Sequence, residues 1–233
     1  MAITDQDVLY EDNHLIAINK RGGDIVQVDV SGDASMEDMV KDYLAKKYNK
    51  PNGAFLGVIH RLDRPVSGMI LFAKTSKGLD RMNRLFHDRK VTKTYLAVVR
   101  EMPPQKKGTL KNWLLRDRKK MITKAYDREV KNGSFAELTY EVVGALEGYY
   151  LLKINPLTGR THQIRSQLSF MGCPIVGDNK YGYQRGSHRR TICLHSRSLT
   201  FTHPIKEEEM TIKASLPEDG FWEKFNVLLK GDF

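Results

Sequence analysis

Residues 134–154 read SFAELTYEVVGALEGYYLLKI, and this stretch sets the expected fold class. It contains two runs rich in β-branched and aromatic residues, 134–143 and 148–154, which are typical of strands. No helical pattern lies between the two runs, so we expect the strands to pair antiparallel. A similar run at 93–100 extends this cluster of strands. No helical pattern interrupts it between residues 93 and 157, which favours an antiparallel sheet over a doubly wound parallel one.

Outside this cluster the chain alternates between strand and helix patterns. Apolar residues spaced three and four apart predict helices at 35–48, 76–87, 161–172 and 220–230. Further strands are predicted at 14–19, 68–74 and 190–202. The expected fold class is therefore α+β, with a mixed, mainly antiparallel sheet and flanking helices. Because no linker rich in Gly, Ser or Pro interrupts the chain, we expect one domain over residues 1–233.

Composition excludes several classes of protein. The chain has 233 residues, of which 40% are hydrophobic, so it can bury a sizeable core and is not expected to be disordered. Its longest apolar runs, such as Met69–Ala73, fall far short of the roughly 20 residues that cross a bilayer, and its first residues do not resemble a signal peptide. The two cysteines, Cys173 and Cys193, form no close-spaced pair. We therefore expect no membrane association and a reducing, cytoplasmic location.

Charge is distributed unevenly along the chain. The formal net charge is +10, yet residues 1–53 carry −4 while residues 100–131 carry +7. Such segregation fits a surface that follows a polyanion, because cations that neutralise phosphates release counterions. An ordinary solvated basic surface would give the same count, so charge alone leaves both interpretations open.

A first candidate site lies at 57–68, which reads GVIHRLDRPVSG. Asp63 stands between Arg61 and Arg64, and the following Pro65 restricts Arg64 to extended conformations. Nearby cations keep a carboxylate ionised, and an ionised carboxylate is suited to act as a nucleophile or an electrostatic stabiliser. The same pattern also fits a turn aspartate in a surface salt bridge.

Two further segments combine polar chemistry with regular structure. Tyr95 lies among β-forming residues, where its ring can stack on a planar base or simply pack as an ordinary strand tyrosine. At 157–165, LTGRTHQIR, polar groups crowd the predicted start of a helix, a position suited to a phosphate or a carboxylate. Helix capping by solvated side chains is the alternative.

The sequence predicts neither a metal site nor a cofactor. The spacings of its histidines and cysteines match no short ligand pattern. Its paired glycines lack the strand-to-helix context and the Lys-Ser/Thr of a phosphate-binding loop.

Taken together, HRLDRPVSGMILFAKT at 60–75, KTYLAVV at 93–99 and LTGRTHQIR at 157–165 resemble the motifs of the RluA-type pseudouridine synthases. The resemblance continues through PIVGDNKYG at 174–182 and LHSRSLTFTHP at 194–204. It departs from the family at NKRGG, 19–23, where Asn-Lys-Pro is more usual, and we expect this change to affect loop packing more than chemistry. The core-like motif begins near residue 8, so we expect no separate N-terminal RNA-binding domain.

The resemblance implies an RNA-modifying enzyme, in which residues 1–233 form a single catalytic domain with a central cleft. The family breaks the N1–C1′ bond of a uridine in RNA, turns the uracil and joins its C5 to C1′, without a redox change or a group donor. On this analogy Asp63 is the essential carboxylate, which either attacks C1′ or acts on the sugar in another way. Arg165 pairs with Asp63, and Tyr95 stacks on the uracil and removes the C5 proton.

The remaining candidates are substrate or RNA contacts. Ile164 closes the apolar side of the pocket, and Arg61 fills the gap that a flipped base leaves. We expect further contacts from His60, Arg160, Thr161, His162, Lys119 and Lys120. We expect Trp113, which lies in the same basic stretch as the two lysines, to belong to the core, with a base-stacking platform as the alternative.

The expected partner is structured ribosomal or transfer RNA, and no protein partner is evident. A catalytically silent RNA-binding protein or RNA chaperone is the main alternative. Binding alone needs no nucleophile, so the set Asp63, Tyr95 and Arg165 argues against it. A glycosidase ranks last, because no motif supplies the second carboxylate.

Overall fold

The computed structural model describes residues 2–28, 32–184, 191–219 and 221–229. The chain is an α+β protein that divides into two compact units. The first unit comprises Met1–Thr92 and Ser196–Ser215, and the second comprises Lys93–His195 and Leu216–Phe233. Within the described ranges, no helix is long and apolar enough to cross a membrane.

Among the described residues, the regular structure comprises three α-helices and eleven strands, together with short 3-10 helices. The helices are α1 Met36–Lys47, α2 Ser76–His87 and α3 Gln163–Phe170. The strands are β1 Val8–Glu11, β2 Leu15–Lys20, β3 Gly57–Val58, β4 Ser67–Ala73, β5 Val91–Val99, β6 Lys107–Asp117, β7 Ile122–Tyr126, β8 Ser134–Leu146, β9 Tyr149–Pro156, β10 Leu194–Thr202 and β11 Glu209–Lys213.

The first unit is built on antiparallel strands. β2 pairs with β1 on one side and with β4 on the other, and β10 pairs with β11. Leu15 and Ala17 of β2 join Met69 and Leu71 of β4 and Phe201 of β10 in one buried cluster. These residues alternate along their strands, as expected for side chains that point to one face of a sheet.

Helices α1 and α2 confirm the predictions at 35–48 and 76–87 to within a residue. Each begins at a side-chain cap. The hydroxyl of Ser35 accepts a hydrogen bond from the amide of Asp38, and the hydroxyl of Thr75 accepts one from the amide of Gly78. Both caps satisfy backbone donors that a helix start leaves unpaired.

The second unit contains the predicted antiparallel cluster, in the order β5-β9-β8-β6-β7. β8 pairs with β9 from Leu138 opposite Pro156 to Leu146 opposite Tyr149, with an irregularity between Val142 and Gly144. The antiparallel pairing inferred from residues 134–154 is therefore confirmed. The basic stretch 106–131, for which no strands were predicted, contains the hairpin β6–β7.

The helix predicted at 161–172 is confirmed but is shorter, Gln163–Phe170. It begins only at Gln163 because His162 adopts a left-handed conformation (φ 55°) that helices do not continue through. Two other expectations about local structure were wrong. The last predicted helix is a 3-10 helix over Glu223–Leu229. Trp113 is partly exposed and does not belong to the core. Residues 190, 220 and 230, which bound two predicted elements, lie outside the described residues.

Candidate active site

Asp63 lies in a tight turn of the first unit, between β3 and β4. The amide of Val66 donates to the carbonyl of Asp63 at 3.0 Å, which closes the turn around Arg64 and Pro65. The Asp63 side chain is partly exposed, and Arg61 and Arg64 are exposed on either side of it. The carboxylate thus stands at a fixed backbone position among cations.

The buried side chain of Lys20 hydrogen-bonds to the backbone of this turn. The Lys20 side chain is only 1% exposed, and its ammonium donates to the carbonyls of Val66 at 2.7 Å and of Arg64 and Arg21 at 3.0 Å. The amide of Gly23 also donates to the Arg64 carbonyl at 2.7 Å. All three ammonium protons are used on backbone carbonyls, so Lys20 fixes the turn that carries Asp63.

The positive charge of Lys20 also interacts with the carboxylate of Asp63 in this turn. Burial lowers the pKa of Lys20 to about 8, and the nearby carboxylates of Asp24 and Asp63 counteract this effect. Asp63 therefore has a buried cation within electrostatic reach. Sequence reasoning missed Lys20, although a lysine that ends the apolar run LIAIN was the available signal.

Gly68 is the second residue of β4, the strand that leaves the turn, and a side chain there would be strained. Its φ is +104°, and a Cβ at this position would overlap the backbone oxygen of Ser196. Strand β4 approaches residue 196 this closely only because Gly68 has no side chain.

His60 has a structural role in the same loop. Its Nε2 accepts a hydrogen bond from the amide of Leu71 at 3.0 Å, and its ring stacks on Phe86 with centroids 5.2 Å apart. An Nε2 that accepts from an amide carries no proton, so in the neutral ring the proton is on Nδ1. His60 thus links the segment before Asp63 to β4 and α2.

In the second unit, the side chain of Gln163 fixes the loop before α3. Its Oε1 accepts from the hydroxyl of Thr158 at 2.7 Å and from the amide of Arg160 at 3.0 Å, while its Nε2 donates to the carbonyl of Glu137 at 3.0 Å. The side chains of Arg160 and Thr161 point from this loop towards solvent. Sequence reasoning treated Gln163 as one polar residue among several, although it organises the others.

Arg165 is held by two residues that follow α3. Its Nε donates to Asp178 Oδ2 at 2.7 Å, and its Nη2 donates to Oδ1 of the same carboxylate at 2.9 Å. The guanidinium also lies over the ring of Tyr181, with Cζ 4.8 Å from the ring centroid. Arg165 and Asp178 are 4% and 1% exposed, so the pair is buried and the guanidinium has one orientation.

Tyr181 extends this network to the loop that precedes α3. Its hydroxyl accepts from the amide of Thr123 at 2.8 Å and is hydrogen-bonded to His162 Nδ1 at 2.7 Å. Burial raises the pKa of Tyr181, so it remains a neutral phenol at physiological pH. His162 therefore helps to position Arg165 indirectly, because it is hydrogen-bonded to Tyr181, whose ring contacts the guanidinium. Neither Asp178 nor Tyr181 was predicted as a site residue.

The other predicted residues of this unit lie on separate elements. Tyr95 is on β5, opposite Ile154 of β9, and is partly exposed. Ile164 is buried in α3. Lys119 and Lys120 are exposed in the turn between β6 and β7.

The predicted catalytic residues thus divide between the units. Asp63 belongs to the first unit, with Arg61 and His60, while Tyr95 and Arg165 belong to the second. Within the described part of the chain, no three histidine, cysteine or acidic side chains are arranged to hold a metal ion.

Known proteins with the same motifs and fold identify the family. Residues 14–170 match the family model described as RNA pseudouridylate synthase. The chain belongs to the RNA pseudouridylate synthase family. The ribosomal large subunit pseudouridine synthase C of Rickettsia bellii is 33% identical over 217 residues, which cover 92% of this chain and 70% of that protein. Its counterpart in Rickettsia conorii is 32% identical, over 92% and 69%.

Solved structures agree with this assignment. The human RNA pseudouridylate synthase domain containing 4 superimposes with a TM-score of 0.78 at 26% identity, over 96% of this chain and 93% of that one. The human RNA pseudouridylate synthase domain containing 1, at 20% identity and a TM-score of 0.70 over 98% and 97%, shares the fold. The resemblance to RluA-type synthases is confirmed, and this RNA pseudouridylate synthase is an enzyme of that type.

Proposed function

We propose that this enzyme isomerises a uridine of large-subunit ribosomal RNA to pseudouridine, in the cytoplasm, with Asp63 as the essential carboxylate. The observation that carries the proposal is the structure of the Asp63 turn, in which a partly exposed carboxylate sits on a backbone held by a buried ammonium. Two relatives act, by name, on the large ribosomal subunit, which supports the choice of RNA. Cys173 and Cys193 are both buried and neither is in a disulfide, in keeping with a reducing compartment.

The proposed reaction needs no external reactant. The N1–C1′ bond breaks, the uracil turns, and C5 bonds to C1′; the proton on C5 is then lost while N1 gains one, so atoms and electrons balance. The uracil has to leave its stack and be retained until it has turned. Asp63 promotes the first step, by attack on C1′ or by another route through the sugar.

The second unit supplies the other proposed roles. We assign Arg165 to pair with the Asp63 carboxylate and keep it ionised, because its guanidinium is held in one orientation. Tyr95 is proposed to stack on the uracil and to remove the C5 proton, and Ile164 to provide an apolar wall. Exposed Arg61 is suited to stack in the gap left by the flipped base.

Phosphate contacts complete the proposal. Arg160, Thr161, Lys119 and Lys120 are all exposed, and we assign them to bind phosphates. His60 and His162 are instead assigned to order the loops around Asp63 and Arg165, since their rings already make protein contacts.

A tritium-release assay tests both the reaction and the choice of RNA. Large-subunit ribosomal RNA and transfer RNA transcripts, each labelled with tritium at uridine C5, would be incubated separately with the purified enzyme. We expect release from the ribosomal transcript, with one or a few pseudouridines found by mass spectrometry. Release from transfer RNA alone would contradict the proposed substrate. Binding of both transcripts without release would favour the silent RNA-binding alternative.

A further inference from the structure

An aromatic row crosses the outer part of the sheet in the second unit. Trp113 of β6 lies directly opposite Tyr126 of β7 on one side and Phe135 of β8 on the other. Directly opposed residues of antiparallel strands project to the same face, so three rings on three adjacent strands share one surface. We call Tyr126, Trp113 and Phe135 the aromatic row.

The row faces away from the buried side of this sheet. Neighbours of Trp113 on β6, Asn112 and Leu114, are buried, and Asn112 accepts from Gln167 of α3 at 2.8 Å. Phe135 is 38% exposed, and Trp113 and Tyr126 are partly exposed. The rings of Trp113 and Phe135 meet edge to face, with centroids 5.9 Å apart.

Cations flank the row. Lys111 and Lys124 lie two residues from Trp113 and Tyr126 on the same strands, and therefore on the same face. Exposed Arg160 donates to the carbonyl of Phe135 at 3.2 Å, which keeps a guanidinium beside the third ring.

The acidic groups on this face are already engaged. Glu137 Oε1 lies 3.6 Å from Lys111 Nζ. The carboxylate of Asp117 accepts a hydrogen bond from the backbone amide of Lys120, in the same turn. Glu141, further along β8, pairs with Lys107 at 2.8 Å. Lys124 has no ion pair among the described residues, so the charge next to the rings is positive.

We propose that the aromatic row is a docking platform for unpaired bases of the RNA substrate. Rings on neighbouring strands with cations at their edges bind single-stranded nucleic acid by stacking, with little dependence on sequence. Cross-strand aromatic contacts also stabilise sheets, and a purely structural row would serve that role alone. The occupant we assign is a single-stranded RNA segment, because the flanking charge complements phosphate.

Tryptophan fluorescence tests the platform directly. The enzyme has two tryptophans, of which Trp222 is only 2% exposed, so a bound strand will quench Trp113 selectively. The probe is a 12-nucleotide oligoadenylate, which contains no uridine and cannot be a substrate. We expect saturable quenching in the wild type that weakens with salt, and none in Trp113→Phe, where only Trp222 emits. An oligoadenylate that leaves the wild-type emission unchanged would overturn the proposal.

Variants separate stacking from folding. We expect Phe135→Leu to weaken binding roughly tenfold or more, and Phe135→Tyr, which keeps the ring, to bind nearly as the wild type does. Phe170→Leu is the matched control, because Phe170 is 52% exposed in the same unit but lies off the row. Equal affinities for Phe135→Leu and the wild type would contradict the platform. If Phe135→Leu does not fold, the wild-type quenching and the Trp113→Phe variant still decide the question.

The inference rests on the proposed function only in taking RNA as the partner. Its failure is distinguishable from failure of the isomerase, since the probe contains no uridine. Quenching without tritium release would uphold the platform and contradict the enzyme mechanism. Tritium release without quenching would do the reverse.

Discussion

The guanidinium of Arg165 is fixed by the carboxylate of Asp178 through two hydrogen bonds, of 2.7 and 2.9 Å, inside the second unit. Two parallel bonds define the plane of a guanidinium as well as its position. The ring of Tyr181 covers one face of that plane. Asp178 is therefore a positioning residue for Arg165, and it acts before any substrate arrives.

Asp178→Asn should lower kcat roughly tenfold to a hundredfold with little change in KM for RNA. The amide keeps the shape of the carboxylate but loses its charge and offers only one acceptor oxygen, so Arg165 loses its single orientation. Initial rates of tritium release at several RNA concentrations separate the two constants.

Arg165→Lys is the companion variant to Asp178→Asn. It keeps the positive charge but cannot form both hydrogen bonds, so we expect a similar fall in kcat. Folding of each variant would be checked by urea unfolding, because breaking a buried ion pair costs roughly 3–5 kcal/mol. A folded Asp178→Asn enzyme with wild-type kcat would show that Arg165 needs no such support.

The sequence predicted the strands between residues 134 and 154 well, since their side chains alternate and no helical pattern lies between them. It missed the start of α3 by two residues, because His162 adopts a left-handed conformation and the side chain of Gln163 hydrogen-bonds back to the preceding loop. The hairpin β6–β7 was missed because its many lysines and arginines hide the alternation.

For the candidate site, motifs supplied Asp63, Tyr95 and Arg165, but not the residues that hold them. Lys20 acts through backbone carbonyls, and Asp178 acts through the side chain of Arg165. Neither kind of contact leaves a local pattern in the sequence. Trp113 was assigned to the core on residue type alone. Its placement depends on strand register, which only the structure provides.

The buried ammonium of Lys20 should make stability depend on pH in the alkaline range. The pKa of Lys20 is about 8 in the folded protein, below the usual 10.5. Between these values the unfolded chain binds more protons, so the free energy of unfolding rises with pH. We expect this free energy, measured for the wild type relative to Lys20→Met, to rise by up to roughly 3 kcal/mol from pH 8 to 10.5.

Comparison with Lys20→Met isolates this effect. Burial raises the pKa of Cys173 to about 11, and its titration lowers stability over part of the same range, but it contributes equally to both proteins. Chemical denaturation at half-unit pH steps gives the difference. A difference that is flat or falls across the range would rule out a desolvated ammonium at Lys20.

Catalytic activity should fall over the same alkaline range in which the free energy of unfolding rises. Above pH 8 the neutral amine of Lys20 has only two protons for the three carbonyls it holds, so the Asp63 turn loosens. We expect kcat of the wild type to fall above about pH 8. Lys20→Met should be slower throughout and lack this limb, and an unchanged limb in the variant would assign it to another group.

Gly68→Ala should destabilise the first unit more than a glycine substitution normally does. Both Gly68 and Gly23 have φ of +104°, but a Cβ on Gly23 meets no atom within 4 Å, whereas one on Gly68 would meet the backbone of Ser196. We expect Gly68→Ala to cost about 2 kcal/mol more than Gly23→Ala, measured by urea unfolding. Equal free-energy costs for the two variants would mean that the backbone at Ser196 moves away from residue 68 without strain.

Replacing Lys119 and Lys120 together by Gln should weaken RNA binding and reduce its dependence on salt. Both side chains are exposed in the β6–β7 turn, and each lost phosphate contact lowers the slope of log K against log salt by about 0.7–0.9. Filter binding between 50 and 300 mM KCl measures the slope. The matched control replaces exposed Lys46 and Lys50 of the first unit, and equal slopes for both double variants would exclude the turn as an RNA contact.

Tritium release by Asp63→Asn tests the central claim most directly. The substitution removes one charge with almost no change of shape, and RNA affinity, measured in parallel, shows whether the variant still binds. The predicted result is no release above background at wild-type affinity. Continued release by a folded, RNA-binding Asp63→Asn enzyme would contradict the assignment of Asp63 as the essential carboxylate.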